Sequence, residues 1–134
     1  MMTQEKQALK GHSYIALETY RKTGEAVRTP VWFAHEPAAD GQGGTTVYVY
    51  TLDNSGKAKR IRRTARVKLA PSDARGKPLG EWIEGVAQIG DTVVYEHGNR
   101  LMNKKYGLLK RLFEFFGRNS SGKNIIVAIK LINE

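Results

Sequence analysis

Alternation of apolar and polar residues, with a period of two, is the feature that most constrains the fold of this chain. Between Ser13 and Tyr20, for example, Ile15 and Leu17 lie on one side of an extended backbone and their neighbours on the other. Five further segments have the same character or are rich in β-branched and aromatic residues. The predicted strands span residues 13–20, 26–35, 45–51, 66–71, 80–89 and 124–132. Because most connections are short turns, this pattern predicts a mainly β fold, an antiparallel barrel of about six strands.

Two or three short helices are predicted as insertions in this barrel. Ser55 to Thr64 places Ala58, Ile61 and Ala65 in an apolar stripe at helical spacing, and Lys and Arg cover the other faces. Residues 3–10 favour a short opening helix. Asp91 is a candidate N-cap for another helical region. We expect Gly98 and Asn99 to interrupt that region, and Met102 to Phe116 to resume it. The resumed part has a wide apolar stripe of Leu108, Leu109, Leu112, Phe113 and Phe116.

Pro30 lies inside the second predicted strand. Proline has no N–H to donate to a strand ladder, so it is largely confined to edge strands and bulges. We therefore expect this strand to be at an edge, or bulged, around Pro30. Backbone groups near such a position are available to a ligand.

Composition limits the classes of protein to consider. The chain has 134 residues, which fits a single domain over 1–134, and no cysteine, which excludes disulfides, thiolate metal sites and a cysteine nucleophile. It has no apolar run that resembles a signal peptide or a membrane span, so we expect a cytoplasmic protein without an integral membrane segment. The formal net charge of +9 favours an anionic partner: nucleic acid, acidic membrane or a phosphorylated small molecule.

The segment from Tyr50 to Lys57 is the clearest candidate binding site. It joins an apolar strand through a polar turn to Ser55-Gly56-Lys57 at a helix start. A helix N-terminus offers backbone N–H groups and a partial positive charge, and a hydroxyl and an ammonium group add to its affinity for phosphate. The alternative is that Ser55 is an ordinary N-cap and the lysines are a solvated face. These residues alone leave the two interpretations about equally supported.

The same segment resembles a signature of the pyridoxamine 5'-phosphate oxidase-like flavin and deazaflavin oxidoreductases, in particular the subgroup described as F420-dependent. Other stretches agree with that family in order and spacing, and the resemblance runs from about Tyr14 to Ala87, with a weak continuation through Lys105-Tyr106-Gly107. The matching stretches are Tyr50-Thr51, Ser55 to Val67, Thr23-Gly24, Thr29 to Phe33, Leu69 to Gly76 and Trp82 to Ala87.

The resemblance implies a split β-barrel that forms a homodimer, with the cofactor in a groove at the subunit interface. Its cofactor would be F420 or, as an alternative, FMN. The strand from Thr29 to Trp32 would lie along the ring system through its backbone, and the segment around Ser55 would hold the phosphate. The candidate cofactor-binding residues are Thr29, Pro30, Val31, Trp32, Tyr50, Thr51, Ser55, Gly56, Lys57, Ala58 and Lys59.

Three functions follow from these observations. The leading one is an oxidoreductase that transfers a hydride between F420, or FMN, and an unknown small organic acceptor; no catalytic residue is identified. The second is a non-catalytic protein that binds or carries a flavin, deazaflavin or tetrapyrrole on the same fold. The third is nucleic-acid binding, which we do not expect because the basic helix carries no aromatic residue on which bases could stack.

Aromatic and histidine side chains have plainer explanations. Trp32 and Trp82 are expected to fill the barrel core in preference to stacking near a cofactor ring. The three histidines are scattered without metal-ligand spacing, so no metal site is predicted.

Overall fold

The computed structural model describes residues 8–37, 44–107 and 123–132. Its six strands are β1 (Tyr14–Tyr20), β2 (Ala26–Pro37), β3 (Thr45–Leu52), β4 (Arg66–Ser72), β5 (Ile83–Ile89) and β6 (Asn124–Leu131). Its two helices in this part of the chain are α1 (Gly56–Arg63) and α2 (Thr92–Tyr106). The strands form one closed barrel in the order β1-β2-β3-β6-β5-β4, and every neighbouring pair is antiparallel. The predicted mainly β antiparallel barrel is confirmed, with strand ends within a few residues of the predicted ones.

The barrel interior holds the side chains that the alternation assigned to one face. Large aliphatic side chains and one phenylalanine are buried there. The buried cluster is Leu9, Ile15, Leu17, Phe33, Val47, Val49, Ile61, Val67, Leu69, Ala87, Val127, Ile129 and Leu131. Burial of this apolar surface is the main stabilising contribution to the fold.

Helix α1 packs one apolar side against the barrel. Ala58 and Ile61, one turn apart, are both buried. The helix ends at Arg63, because the next residue, Thr64, has extended backbone angles and its N–H donates to the Arg60 carbonyl. Ala65 therefore follows the helix and is exposed, so its predicted place in the apolar stripe is wrong.

Strand β2 changes partners along its length. From Ala26 to Trp32 it pairs with β1, whereas its ladder with β3 covers only Phe33 to Pro37. The two strands separate at the pair Phe33–Val49. The part of β2 that precedes Phe33 pairs only with β1, and the part of β3 that follows Val49 pairs only with β6. Pro30 thus lies outside the β2–β3 ladder, as expected for an edge position. Its register with Ala16 is continuous, so the alternative of a bulge is not found.

Helix α2 is continuous through Gly98, so the predicted interruption at Gly98 and Asn99 is wrong. A Cβ atom on Gly98 would lie 3.0 Å from Ile126 Cδ1 and 3.1 Å from Tyr48 Cδ1. The glycine is therefore at this position because the helix lies close against strands β3 and β6, a contact that local helix propensity does not report.

Polar contacts hold α2 on the outer face of the barrel. Glu36 Oε2 accepts a hydrogen bond from the Tyr48 hydroxyl (2.8 Å) and lies 2.6 Å from His97 Nε2. At the other end of the helix the Tyr106 hydroxyl accepts from the Phe33 N–H (3.0 Å) and is 2.7 Å from the Ser13 carbonyl. Tyr106 thereby bonds backbone groups at the end of the β1–β2 ladder.

The two tryptophans lie outside the barrel core, contrary to expectation. Trp32 is half-buried and stacks on Tyr106, with ring centroids 4.5 Å apart and an interplanar angle of 6°. Trp82 is also half-buried, and the Arg28 guanidinium lies 4.7 Å from its ring centroid. Both indoles therefore lie outside the barrel core. For Trp32 this follows from alternation along β2, because the next residue, Phe33, is buried in the core.

Lys105 provides a test of this packing. Its ammonium lies 3.5 Å from the Phe33 ring centroid, and burial lowers the pKa of Lys105 from 10.5 to about 8. Lys105 therefore binds more protons in the unfolded chain than in the folded protein between about pH 8 and about pH 10.5, so its contribution to stability is expected to rise with pH across this range. Lys105→Met should reduce that rise, as measured by urea unfolding. Equal pH dependence in both proteins would show that the ammonium is solvated.

The predicted opening helix lies mostly outside the described residues, and the apolar stripe between 108 and 116 lies wholly outside them. In the ranges that are described, neither helix combines the length and the apolar character needed to cross a bilayer.

Candidate functional site

The N-terminus of α1 is built by a short capped turn. Ser55 is the N-cap: its backbone is extended, and its Oγ accepts the Ala58 N–H at 3.0 Å. The Thr51 hydroxyl at the end of β3 lies 2.8 Å from the same Oγ. The N–H groups of Gly56 and Lys57, the first two residues of the helix, have no acceptor within the helix. This end of α1 therefore presents two hydroxyls and two N–H donors on neighbouring residues.

The turn before α1 is held in place by the start of β6. The Asp53 N–H donates to the Lys123 carbonyl (2.9 Å), and Asp53 Oδ1 accepts the Lys123 N–H (3.2 Å). Arg62 also donates to the Asp53 carbonyl (2.7 Å). The turn that leads into α1 is thus held both by the chain at the start of β6 and by Arg62 of the helix itself.

Lys57 gives this helix end an uncompensated positive charge. Its side chain is half-buried, and burial, with a smaller contribution from Arg60, lowers the pKa of Lys57 from 10.5. No ion pair to Lys57 is formed among the described residues, and the first turn of α1 holds no acidic residue. Since a partly buried charge without a partner is unfavourable, an anion bound here would be stabilised by Lys57.

Arg60 is a second cation at the same end, and the sequence patterns did not single it out. Its Nε donates to the Thr19 hydroxyl at 2.7 Å, and Thr19 is buried at the end of β1. A Cβ atom on Gly56 would lie 2.7 Å from Arg60 Nη1, so the guanidinium occupies the space beside this glycine. A signal did exist in the sequence, because residues 57 and 60 are spaced to share one helix face.

The predicted site residues of β2 lie in the part of the strand that pairs with β1 but not with β3. If that ladder continued, its register would place Val31 opposite Thr51. This segment and the end of β3 are therefore the two edges that part where the barrel splits. Val31 packs against the buried core, and Pro30 is exposed. Thr29 shares the inward side with Val31, because side chains alternate along a strand.

The predicted residues are not all brought together. Thr51, Ser55, Gly56 and Lys57 form one group at the start of α1. Three other side chains point elsewhere: Tyr50 bonds to Asn99 and packs against Tyr95 of α2, Trp32 stacks on Tyr106, and Ala58 is fully buried. Any contact from Tyr50, Trp32 or Ala58 to a ligand at the helix start would therefore use the backbone. Lys59 is exposed on α1.

Comparison with known proteins rests on structure alone, since no protein-family model and no curated protein matches the sequence. A candidate pyridoxamine 5'-phosphate oxidase from Listeria innocua has a TM-score of 0.62 at 15% identity, over 98% of this chain and 94% of that one. A FAD-binding protein from Mesorhizobium loti has a TM-score of 0.65 at 13% identity, over 99% and 89%. The haem-storage protein HutZ from Vibrio cholerae has a TM-score of 0.67 at 10% identity, over 98% and 90%. The fold of this chain is that of the pyridoxamine 5'-phosphate oxidase-like split barrels.

Proposed function

We propose that this chain binds a flavin-type cofactor by its phosphate at the start of α1 and acts as an oxidoreductase. F420 is the leading cofactor and FMN the alternative. The observation that carries the proposal is Lys57, a half-buried cation with no ion-pair partner in the described part of the chain, in the first turn of the helix that Ser55 caps and Thr51 precedes.

A phosphate suits this set of donors. Its oxygens accept several hydrogen bonds at once, and the N–H groups of Gly56 and Lys57 and the Lys57 ammonium are donors near the helix start. The Thr51 hydroxyl is a further donor when the Ser55 hydroxyl donates to it. Gly56 is exposed, so an anion can approach the backbone from solvent. Lys59, also exposed, adds long-range attraction that salt would screen.

The ring system is assigned to the edge of β2 from Thr29 to Trp32. Because β2 and β3 do not pair here, this edge of β2 is unpaired and faces the end of β3, where the phosphate group is proposed to bind. The role of these residues would be to hold the ring by backbone contacts and to limit its exposure to water. Pro30 leaves that part of the edge without an N–H donor, so carbonyl groups would dominate there.

When bound, a reduced deazaflavin or flavin supplies a hydride, two electrons with one proton, to an organic acceptor that then takes a proton from solvent. The protein's contribution is to bind, orient and shield the reactants. This division of work suits a site whose residues are donors and cations, without a paired acid and base.

The structural neighbours support the flavin-type proposal and motivate its alternative. One neighbour is described as FAD-binding, whereas HutZ and a protein from Mycobacterium smegmatis are described by their haem storage or haem binding. A non-catalytic carrier of a flavin or tetrapyrrole is therefore the second candidate function.

A binding comparison tests the proposal directly. FMN and riboflavin differ only by the phosphate, and F420 and its tail-free deazaflavin fragment differ by the anionic tail. We expect the phosphorylated member of at least one pair to bind about tenfold or more tightly than its partner, because charge-assisted hydrogen bonds contribute about 1.5–3 kcal/mol. Ligand-induced change in tryptophan fluorescence and melting temperature would report binding, with haem as a further ligand. Binding of haem alone would favour the carrier.

Turnover separates an enzyme from a carrier. Protein mixed with reduced F420 or FMN and a panel of quinone and enoate acceptors is expected to oxidise the cofactor faster than protein-free buffer does. Tight binding without any acceleration, across the panel, would favour the non-catalytic function.

A homodimer is part of the proposal, as the family resemblance implies. Pro30 on the edge of β2 and Gly56 at the start of α1 are exposed, and a second copy would supply the remaining wall of the groove. Light scattering at several protein concentrations measures the mass of the particle in solution, and a mass of one chain at all of them would remove this part of the proposal.

A further inference from the structure

The contact between Gly56 and Arg60 is a feature that the helix itself does not require. An arginine at the fifth position after an N-cap normally extends into solvent, yet here its Nη1 lies where a side chain on residue 56 would begin, 2.7 Å from the ideal Cβ position. The Cζ atom lies 3.6 Å from the same point. The guanidinium is therefore folded back over the first turn of α1.

A specific hydrogen bond keeps the side chain in this position. Arg60 Nε donates to the hydroxyl of Thr19, which is 1% exposed and belongs to a strand 41 residues earlier in the chain. The guanidinium uses the Nε N–H in this contact, so the N–H donors of its two terminal nitrogens are not used by Thr19. Because the anchor is buried, the location of the positive charge is defined.

The electrostatic surroundings of Arg60 are unfavourable in the absence of an anion. Burial lowers the pKa of Arg60, and the neighbouring Arg21 and Arg63 lower it further. Lys57 is also affected by the charge of Arg60. Within the described ranges neither Arg60 nor Lys57 forms an ion pair with a carboxylate. Two like charges held together in this way are expected where a multiply charged anion binds.

We propose that Arg60 binds the anionic tail of the ligand together with Lys57, and that residue 56 is glycine because a side chain there would displace the guanidinium. The inference rests on the proposed function, which it deepens by naming the ligand group: one that carries two negative charges. A phosphate monoester dianion meets this requirement, and so does a phosphodiester next to a carboxylate. The planar guanidinium can donate two parallel hydrogen bonds to either group, which an ammonium cannot.

Arg60→Gln and Gly56→Ala test this inference, and Lys104→Gln is the charge-matched control. Lys104 lies in the last turn of α2, whose end bonds to the start of β1, whereas α1 bonds to the end of β1. Arg60→Gln removes the charge. Gly56→Ala keeps the charge, but its methyl group takes the space of Arg60 Nη1, so the end of the flexible Arg60 side chain has to move. Each variant is titrated with FMN and riboflavin, and with F420 and its tail-free deazaflavin fragment.

We expect both variants to reduce the preference for the phosphorylated or tailed ligand about tenfold, with little change for riboflavin or the tail-free fragment. The FMN pair reports on a monoester, and the F420 pair on a diester with a carboxylate. The melting temperature of ligand-free Gly56→Ala is expected to be no lower than that of the wild type, since alanine is the better helix former. If Gly56→Ala loses affinity without losing stability, the role of Arg60 is in ligand binding and not in the fold. This result can be obtained even if Arg60→Gln fails to fold.

Two results would overturn the inference and are distinguishable. If Arg60→Gln and Gly56→Ala bind FMN and F420 as Lys104→Gln does, while Lys57→Gln loses affinity, Arg60 has no part in a site that nevertheless exists. If the wild-type protein itself shows no preference within either ligand pair, the proposed function fails and this inference fails with it.

Discussion

Replacement of Lys57 by glutamine is expected to weaken the binding of a phosphorylated flavin-type cofactor about 10- to 100-fold, and at the same time to raise the melting temperature of the ligand-free protein. The loss of affinity follows from removal of a charged hydrogen bond, which contributes about 1.5–3 kcal/mol. The gain in stability follows because the wild-type ammonium is half-buried beside Arg60, without a carboxylate partner in the described ranges. Isothermal titration and thermal melts of both proteins measure the two effects.

The pH dependence of this gain has a definite sign. The folded protein holds Lys57 with a pKa below its ordinary value of 10.5, so the unfolded chain binds more protons in the range just below 10.5. The contribution of Lys57 to wild-type stability is therefore expected to become less unfavourable as the pH rises through that range, whereas Lys57→Gln lacks this contribution. The advantage of the variant should be largest near neutral pH and should shrink as the pH approaches 10.5.

Lys59→Gln and Lys104→Gln are the matched controls for Lys57. Lys59 is exposed on the same helix, so its effect on affinity is expected to be small and to disappear at high salt. Lys104→Gln, on α2, is expected to have no effect. Equal losses of affinity in Lys57→Gln and Lys59→Gln, both removed by salt, would mean that the helix attracts anions only as a diffuse patch.

Ile61→Ala is expected to lower the free energy of unfolding by about 2–5 kcal/mol, the largest stability change among our predictions. Ile61 is 3% exposed and belongs to the buried cluster, where it attaches α1 to the barrel. Truncation removes buried methyl groups and leaves a cavity that the strands around it cannot fully close. Urea unfolding measures the change as a shift of the midpoint, with the denaturant slope unaltered if folding stays two-state.

Val93→Ala is the control for Ile61→Ala, because Val93 is also aliphatic but is 73% exposed. Its expected effect is within about 0.5 kcal/mol. A loss in Ile61→Ala as small as that of Val93→Ala would show that α1 is not packed on the barrel, and the phosphate site proposed at its start would lose its support.

The sequence predicted those features that depend on near neighbours in the chain. Six strands were predicted because alternation and a high content of β-branched and aromatic residues are local properties, and each segment carried one or the other on its own. Ser55 at the predicted helix start was interpreted either as an N-cap or as a hydroxyl for an anion, and its Oγ does accept the Ala58 N–H as an N-cap does. The edge position of Pro30 followed from its missing N–H.

Predictions failed where a contact came from a distant part of the chain. Gly98 was expected to break a helix, because glycine is a poor helix former locally. The helix is continuous, and the glycine is explained by the close approach of strands β3 and β6, since a Cβ atom there would be in tight contact with Ile126 and Tyr48. Likewise the tryptophans were expected inside, since large aromatics favour burial, but Trp32 is buried instead by Tyr106 on the outside of the barrel.

By itself the sequence determined the strands, the capped helix and the group of donors at its start, because period, capping and charge are properties of short segments. Only the tertiary structure decided where β2 leaves β3, how close α2 lies to the barrel, and where Arg60 is held. The physical reason is the same in each case: these positions depend on packing and hydrogen bonds between residues far apart in the chain, such as Arg60 and Thr19.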